Sequence, residues 1–236
     1  MNNRLYLTTG KRCLDVLCSS AGLVVLFPIL LIVAVWITIS SSGPVFFRQV
    51  RIGQFGHPFR IWKFRTMVAA SDRHDDFITA DDDSRITAVG RWLRKTKLDE
   101  LPQLINVFVG EMSLVGPRPE VIQYLDAYQG IYRQILLAKP GITGPAANAF
   151  VREEEILSGR PDKRSYYLMT ILPEKFQLDL DYCDDICFTK DLGLILQTFT
   201  NVFEKPVLLR GTWVRHPEKR YLKHKSSTSN ELLKSQ

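Results

Sequence analysis

The sequence predicts a mixed α/β (α+β) fold, in which a small, helix-rich domain with a β-hairpin is carried on an N-terminal membrane helix. Three observations predict it. Residues 16–47 contain no charged residue, residues 44–67 form two extended runs around a glycine-containing turn, and apolar residues recur at helical spacing farther along. The chain has 236 residues, which is enough for one ordinary domain in addition to a membrane element.

Charge and cysteine content exclude some classes of protein and leave others open. The formal net charge is +6, and a basic excess suits nucleic acid, anionic lipid or a phosphorylated substrate equally well. The four cysteines include no Cys-x-x-Cys pair and no neighbouring histidine at metal-ligand spacing. We therefore expect reduced, packed cysteines, with neither a disulfide framework nor a zinc site.

The first apolar segment is predicted to enter a membrane. Residues 16–39 are almost entirely apolar, and a helix of this length can cross a hydrocarbon core of ~30 Å. Pro28 lies in the middle, where proline removes a backbone donor and kinks a helix. Basic residues flank both ends, at Lys11, Arg12 and Arg48, and such flanks favour the cytoplasmic side. These features favour a re-entrant helix that bends at Pro28; a spanning anchor with a tolerated proline is the alternative.

The segment after the membrane helix is predicted to be a β-hairpin. Its extended runs are residues 44–51 and 58–67, and residues 53–57, with two glycines, supply the turn. In the second run, period-two alternation predicts that four side chains share one face: Phe59, Ile61, Lys63 and Arg65. The acidic and polar residues 70–85 predict an exposed loop.

Two apolar patterns with helical spacing predict helices in the second half of the chain. One covers residues 120–137 and ends before Pro140, and the other covers residues 191–203. The basic, polar residues 206–236 predict a C-terminal tail without a packed core.

Asp99 and Glu100 are the most informative pair of titratable residues. Pro102 is tolerated only in the first turn of a helix, so the helix with the apolar stripe of residues 101–108 is predicted to begin at Leu98 or Asp99. Both carboxylates would then lie at a helix N-terminus, which stabilises negative charge and can hold phosphate. Carboxylates that stay ionised suit a nucleophile or a magnesium ligand. The alternative is a helix cap with acidic first-turn residues.

Arg118 lies between Pro117 and Pro119, so its guanidinium emerges from a stiff turn. A guanidinium group held in one orientation suits bidentate recognition of phosphate, and the alternative is a solvated surface arginine.

Six further basic residues are expected to surround the site: Lys63, Arg65, Arg91, Arg94, Lys95 and Lys97. They suit a diphosphate substrate or anionic lipid headgroups, and the sequence does not choose between these ligands. The histidines accompany no Ser or Cys nucleophile, which argues against a hydrolase triad.

Seven ordered segments resemble the bacterial sugar transferase family, the monotopic polyprenyl-phosphate phosphoglycosyl transferases. The segments are KRCLDV at 11–16, GPVFFRQ at 43–49, IWKFRTM at 61–67, LDELPQLINV at 98–107, GEMSLVGPRP at 110–119, KPGITG at 139–144, and LDLDY at 178–182 followed by Asp191-Leu192. The resemblance extends over nearly all of residues 11–203, and its central motifs are too long to match by chance.

The resemblance implies a magnesium-dependent enzyme that moves a sugar 1-phosphate from a UDP-sugar to polyprenyl (undecaprenyl) phosphate and releases UMP. This reaction is the first membrane step of a glycan pathway. The resemblance implies that Asp99 is the nucleophile, carries a covalent phosphosugar and is a ligand of Mg²⁺. It implies that Glu100 supports proton transfer and positioning.

The resemblance also implies that Arg118 is a phosphate ligand, and we group Lys63, Arg65 and Arg94 with it as candidate substrate-binding residues. The re-entrant helix of the family supports the predicted bend at Pro28.

On this basis we divide the chain into three parts. Residues 1–43 are predicted to be an amphipathic lead-in and a re-entrant helix, residues 44–205 a catalytic domain, and residues 206–236 a basic tail. The expected location is the bacterial inner membrane, with the catalytic domain on the cytoplasmic face. The expected partners are a UDP-sugar, polyprenyl phosphate and membrane lipids, without nucleic acid; a homodimer is left open.

Two departures from the family pattern and two alternatives remain. Phe27 stands where the family often has Ser before the proline, and PAANAF at residues 145–150 replaces the usual Ala-Gln-Val-Asn-Gly-Arg. Contacts of that loop with nucleotide or sugar are therefore not carried over from the family to this chain.

One alternative function is a membrane-anchored basic module that binds anionic lipid or nucleic acid. Such a module would not explain why Asp99-Glu100 occurs together with Arg118. The other is a nucleotidyltransferase or phosphatase, which would need no polyprenyl acceptor.

Overall fold

The computed structural model describes residues 6–68 and 83–203 of the chain. The predicted C-terminal tail, and all but the last residues of the predicted acidic loop, lie outside the described residues.

The described residues form eight α-helices, four short strands and several tighter or wider helical turns. The α-helices are α1 (Lys11–Ser40), α2 (Ala88–Thr96), α3 (Gln103–Val109), α4 (Pro145–Ala149), α5 (Glu153–Leu157), α6 (Lys163–Tyr166), α7 (Leu172–Cys183) and α8 (Phe188–Phe203). The strands are β1 (Phe46–Ile52), β2 (Pro58–Phe64), β3 (Ser113–Val115) and β4 (Gly141–Thr143). The predicted mixed, helix-rich fold with small sheets and a long apolar N-terminal helix is confirmed.

α1 is the helix in the described residues that is long and apolar enough to cross a membrane, judged by length and composition. Pro28 lies inside it, and helical backbone continues on both sides of the proline. Four side chains are buried against the domain: Asp15, Ser19, Val33 and Ile37. Most of the large apolar side chains of α1 are exposed, so the domain leaves an apolar surface uncovered. The bend at Pro28 stays a prediction.

The N-terminal end of α1 is bound to the domain by polar contacts. Arg12 donates a hydrogen bond to the carbonyl oxygen of Val107 at 2.7 Å, which satisfies a backbone acceptor in the last turn of α3. The buried carboxylate of Asp15 accepts hydrogen bonds from the Ser113 hydroxyl at 3.0 Å and from the Leu114 N–H at 2.8 Å. These bonds fix the first turns of α1 against α3 and β3.

The C-terminal half of α1 packs against a different part of the same domain. One apolar cluster joins α1 to β2 and α2: Val33, Ile37, Phe64, Val89 and Leu93. At the end of the helix, Arg65 donates to the carbonyl oxygen of Ser41 at 2.7 Å and to its hydroxyl at 2.9 Å. Both ends of α1 therefore contact one domain.

The predicted hairpin is confirmed. β1 and β2 pair antiparallel, with Gln49 opposite Ile61, and the turn between them contains a 3₁₀ turn over Gln54–Gly56. Phe59 and Ile61 are buried against α3, as the alternation predicts. Arg65 lies past the end of β2 and reaches the end of α1 instead, so it does not extend the face that carries Lys63.

The predicted single helix over residues 120–137 is wrong in its form. The structure has two 3₁₀ helices there, Ile122–Ala127 and Gly130–Leu137. Tyr128 and Gln129 between them are not helical, and Gly130, the first residue of the second helix, has a positive φ of 56°, a left-handed backbone that glycine tolerates. The predicted final helix is present as α8 and begins three residues earlier than expected, at Phe188.

A short parallel pair of strands positions the turn that contains Arg118. Ser113 of β3 lies opposite Gly141 of β4. The backbone N–H of Gly141 donates to the carbonyl oxygen of Pro117 at 2.9 Å, and that of Gly116 donates to Thr143 at 2.9 Å. Backbone hydrogen bonds to β4 therefore hold the turn after β3 at both Gly116 and Pro117.

We predict that Gly90 is required for the close contact of α2 with the end of the hairpin. A Cβ atom at Gly90 would lie 2.0 Å from the Thr66 carbonyl oxygen, a contact that backbone cannot relieve cheaply. We expect Gly90→Ala to lower the free energy of unfolding by at least about 2 kcal/mol, the scale of overpacking in a tight contact. The measurement is the thermal unfolding midpoint of the purified chain in one detergent.

The matched control is Gly193→Ala in α8, where an added Cβ meets no atom within 4 Å. There the better helix propensity of alanine should raise stability by about 0.5–1 kcal/mol. Equal effects of the two substitutions would contradict the close contact between α2 and Thr66.

Candidate active site

Asp99 and Glu100 lie in a 3₁₀ turn, Leu98–Glu100, between α2 and α3. The predicted helix start is partly wrong, because helical turns begin at Leu98 but the α-helix begins only at Gln103, with Pro102 in the capping position. Pro102 lacks an N–H and its ring crowds the carbonyl four residues earlier, so a regular α-helix cannot run back through it. Both carboxylates therefore precede the helix instead of lying inside its first turn.

Asp99 is a buried carboxylate with an unpaired oxygen. The residue is 7% exposed, and within the described residues no donor reaches its Oδ1. Burial, helped by the negative charge of Glu100, raises the pKa of Asp99 to about 6. Burial thus outweighs the stabilisation of charge expected from the helix N-terminus, although Asp99 is still mostly ionised at pH 7.

Glu100 differs from its neighbour because its oxygens are paired. Lys63 Nζ lies 2.7 Å from Oε1, and Arg118 places one guanidinium nitrogen 2.9 Å from Oε1 and another 3.5 Å from Oε2. Burial opposes ionisation of Glu100, but the charges of Arg118 and Lys63 outweigh it and hold the pKa well below its ordinary value. Two adjacent carboxylates therefore have pKa values shifted in opposite directions.

Arg118 is placed beside the carboxylate pair, as its position between prolines suggested. Its side chain faces Glu100, whose charge raises the pKa of the guanidinium. Its backbone N–H donates to Oδ2 of the buried Asp179 at 3.3 Å, and the Ala146 N–H donates to the other oxygen of Asp179 at 3.4 Å. Desolvation raises the pKa of Asp179 to about 7.

The other candidate substrate-binding residues divide into two groups. Lys63 joins the site directly through Glu100. Arg94 lies near Asp99 and is bound elsewhere, since its Nε donates to Thr66 Oγ1 at 2.9 Å and another nitrogen donates to Glu154 at 3.0 Å. Arg65 is held at the end of α1, although its Nε and one terminal nitrogen are buried without a partner in the described residues.

Two residues of the site were missed by the sequence analysis. Arg51 and Gln103 line one small pocket together with Lys63, Glu100 and Arg118. Each has a buried nitrogen without a partner in the described part of the chain, Nε of Arg51 and Nε2 of Gln103. The hairpin register could have indicated Arg51, because it lies opposite Phe59 and so shares a face with Ile61 and Lys63. Gln103 lies inside the motif at residues 98–107 but carries no charge that would single it out.

The capacity of the site for a metal ion rests on Asp99. Residues 6–68 and 83–203 contain no cluster of three or more His, Cys, Asp or Glu side chains that could hold a metal ion. Mg²⁺, however, is commonly bound through one or two carboxylates together with substrate phosphates and water. Asp99 fits this requirement, because its second carboxylate oxygen can bind Mg²⁺ while the unpaired Oδ1 stays available for other chemistry, whereas Glu100 is occupied by Lys63 and Arg118.

The arrangement combines two chemical capacities. Asp99 offers an unpaired, largely ionised carboxylate oxygen that can act as a nucleophile. Beside it, Lys63, Arg118 and Arg51 of the same pocket carry three positive charges against the two negative charges of Glu100 and Asp99. The local excess of positive charge, with guanidinium geometry suited to phosphate, favours an anionic phosphoryl substrate.

The amino-acid sequence is similar to those of known sugar transferases. A model of the family described as bacterial sugar transferase matches residues 6–205. The chain is 40% identical over 174 residues to a UDP-glucose:undecaprenyl-phosphate glucose-1-phosphate transferase of Klebsiella pneumoniae, covering 72% of this chain and 37% of that protein. It is 37% identical over 198 residues to a protein of the same name from Caulobacter vibrioides, covering 83% and 70%.

A third relative has a name that specifies another sugar. The chain is 42% identical over 139 residues to a UDP-N-acetylgalactosamine-undecaprenyl-phosphate N-acetylgalactosaminephosphotransferase of Aeromonas hydrophila, covering 57% of this chain and 32% of that protein. The chain thus spans well under half the length of the Klebsiella and Aeromonas proteins. Because the family model matches most of the chain, and the Caulobacter relative is matched over more than two thirds of both lengths, the chain belongs to the bacterial sugar transferase family.

Proposed function

We propose that the chain is a phosphoglycosyl transferase that moves a sugar 1-phosphate from a UDP-sugar to polyprenyl (undecaprenyl) phosphate, releases UMP and so initiates glycan assembly. The observation that carries the proposal is the buried Asp99 with an unpaired oxygen, beside Glu100 held by two cations. The names of the relatives support the substrate classes, since they specify undecaprenyl phosphate together with UDP-glucose or UDP-N-acetylgalactosamine.

In the first step, Asp99 attacks the β-phosphorus of the UDP-sugar. A bond forms between Oδ1 and phosphorus, the bond from phosphorus to the oxygen bridging the two phosphates breaks, and UMP leaves with that electron pair. Asp99 then carries the sugar 1-phosphate as an acyl phosphate. A pKa of about 6 leaves the carboxylate ionised at neutral pH and more basic than an ordinary aspartate, which favours attack.

In the second step, an oxygen of polyprenyl phosphate attacks the same phosphorus. The new bond completes a diphosphate, the bond from phosphorus to Oδ1 breaks, and the Asp99 carboxylate is restored. Division into two displacements lets a soluble donor and a lipid acceptor use one site in turn.

The remaining site residues hold phosphate and keep one another in position. Glu100 is ionised and fully engaged, so its main function is to position Lys63 and Arg118. Arg118 has five N–H donors, and those not bound to Glu100 are free to hold phosphate oxygens. Bound to Asp99 and the diphosphate, Mg²⁺ would supply charge neutralisation. Arg65 and Arg94 stay candidate substrate ligands.

The contacts of α1 support a re-entrant membrane helix, and the basic residues at its two ends favour a domain on the cytoplasmic face of the bacterial inner membrane. A straight helix of 30 residues would be about 45 Å long, longer than a hydrocarbon core of ~30 Å. If it spanned the bilayer, its ends would lie on opposite sides. Instead, Arg12 at one end and Ile37 near the other both contact the same domain, so a bend at Pro28 lets the apolar middle enter the membrane.

We predict that Asp99→Asn abolishes the release of UMP. An amide is a very poor nucleophile, and loss of a covalent nucleophile costs on the order of a thousandfold or more in turnover. The measurement is UMP release from a panel of UDP-sugars with Mg²⁺ and polyprenyl phosphate. Asp184→Asn, an exposed aspartate at the end of α7, is the matched control and should leave turnover unchanged.

A second variant in the same assay tests the phosphate ligand. Arg118→Lys keeps the charge but loses the planar fork, and we expect turnover to fall by about 10- to 100-fold, whereas the exposed Arg133→Lys should behave as wild type. Substantial turnover in Asp99→Asn, or no UMP from any UDP-sugar with the wild type, would contradict the proposed function.

We predict that both ends of α1 face the cytoplasm. The test places single cysteines at Gly10 and Ser42, in a background whose native cysteines are replaced by serine, and applies a membrane-impermeant maleimide to intact cells. Neither position should react until the cells are permeabilised, because the helix returns to the side from which it entered. Labelling of just one position from outside would indicate a membrane-spanning helix.

A further inference from the structure

In the part of the chain that the structure describes, β2 pairs with a strand along one edge and with a single side chain along the other. The strand is β1, and the side chain is that of Asn106. The Trp62 N–H donates to Asn106 Oδ1 at 2.9 Å, and Asn106 Nδ2 donates to the carbonyl oxygen of Arg60 at 2.9 Å. A carboxamide carries an acceptor and donors side by side, as a peptide group does. Asn106 therefore bonds to β2 as a neighbouring strand would.

The partners of this carboxamide allow it one orientation. If its oxygen and nitrogen were exchanged, two donors would meet at the Trp62 N–H and two acceptors would meet at the Arg60 carbonyl oxygen. The second hydrogen of Nδ2 is also used, because Nδ2 lies 2.7 Å from Oε2 of Glu111. Asn106 is completely buried, and a buried polar group without a partner is costly. The side chain is therefore held firmly in place.

The backbone of Asn106 is engaged at the same point. Its carbonyl oxygen accepts hydrogen bonds from the N–H groups of Gly110, Glu111 and Met112, at 3.1, 2.9 and 3.1 Å, which closes the last turn of α3. Ile61 of β2 lies in one apolar cluster with Met112, but apolar packing is not directional. The hydrogen bonds of Asn106 therefore fix how β2 lies along α3.

The two elements that Asn106 joins carry the two halves of an ion pair in the site. Lys63 follows Trp62 on β2, and Glu100 lies in the turn that leads into α3. Lys63 Nζ lies 2.7 Å from Glu100 Oε1. A shift of one residue along the strand would turn Lys63 to the opposite face of the hairpin. Such a shift would break the hydrogen bonds of Asn106 to Arg60 and Trp62, so Asn106 opposes it.

We propose that Asn106 is a positioning residue of the transfer reaction, which holds Lys63 in register with Glu100. Its side chain is fully used by β2 and Glu111, so Asn106 acts on the substrate through Lys63. The proposal rests on the proposed function, in which Lys63 is a candidate substrate-binding residue. An asparagine with a merely structural role would change the amount of folded enzyme, whereas a positioning residue changes the affinity for the UDP-sugar.

The test variant is Asn106→Ala in the full chain, reconstituted in nanodiscs. The first readout is hydrogen exchange of the Trp62 N–H, which does not depend on activity. The second is KM and kcat for UMP release from the UDP-sugar that reacts fastest. The control is Ile171→Ala, which opens a cavity in a buried cluster that includes neither β2 nor the turn of Asp99. If Asn106→Ala does not fold, Glu111→Ala replaces it in every measurement, since it removes only one of the three side-chain hydrogen bonds.

We expect the Trp62 N–H to exchange at least about fivefold faster in Asn106→Ala, the factor that corresponds to one lost hydrogen bond. KM for the UDP-sugar should rise and kcat should fall, lowering kcat/KM by about 10- to 100-fold, as small misplacements in an active site do. Ile171→Ala should lower the amount of active enzyme and leave KM as in the wild type. Glu111→Ala should change KM in the same direction as Asn106→Ala, but less.

A double-mutant cycle tests whether Asn106 acts through Lys63. The dissociation constant of the UDP-sugar is measured by calorimetry in the Asp99→Asn background, where the bound donor is not consumed. Asn106→Ala alone should weaken binding by about tenfold. In a chain that already carries Lys63→Met it should weaken binding by less than about twofold, because the effects of residues that act together are not additive.

Three results would overturn the proposal. Unchanged exchange of the Trp62 N–H would mean that Asn106 does not hold β2. A lower rate at constant KM, as in Ile171→Ala, would make Asn106 only structural. Effects of Asn106→Ala and Lys63→Met that multiply in the cycle would mean that Asn106 does not act through Lys63. Failure of the proposed function would look different, because the wild type would then yield no UMP while exchange at Trp62 would still test the contact with β2.

Discussion

The double ion pair of Glu100 with Lys63 and Arg118 is the interaction on which the site depends. It joins the end of β2, the turn before α3 and the turn after β3, and both cations lie within 3 Å of one carboxylate oxygen. A charge withdrawn from water costs several kcal/mol unless it is paired. With Arg51 in the same pocket, three cations face the two carboxylates of Asp99 and Glu100, and an anionic phosphoryl group would neutralise the remaining positive charge. Asp99 stays outside this pairing, and so keeps an oxygen free for chemistry.

The second constraint is that one long apolar helix contacts the domain at both ends. Asp15 is bonded to β3 near the first end, and Ile37 is buried beside β2 and α2 near the other. Because α2 leads directly into the turn with Asp99, the attachment of α1 and the position of Asp99 are mechanically linked. This arrangement is compatible with the proposed insertion of α1 into a membrane and with a site open to the proposed soluble donor.

The sequence predicted the parts of this account that depend on neighbours along the chain. Two adjacent carboxylates, an arginine between prolines and an alternating hairpin can all be recognised locally. Other features depend on packing between distant segments. The raised pKa of Asp99 follows from burial, the contact of Arg65 with Ser41 follows from the end of α1, and the pocket positions of Arg51 and Gln103 follow from how β1 and α3 meet. Gly130 shows the same limit, since apolar spacing did not reveal its left-handed backbone.

Formation of a covalent phosphosugar on Asp99 before the lipid acceptor binds is tested most directly by measuring the mass of the intact protein. The purified chain is mixed with Mg²⁺ and a UDP-sugar without polyprenyl phosphate, then digested and mapped. We expect a mass increase of one sugar phosphate located on Asp99, with UMP released in equal amount, and no adduct on the Asp99→Asn variant. An adduct on another residue, or UMP release that requires both substrates together without any adduct, would contradict the account.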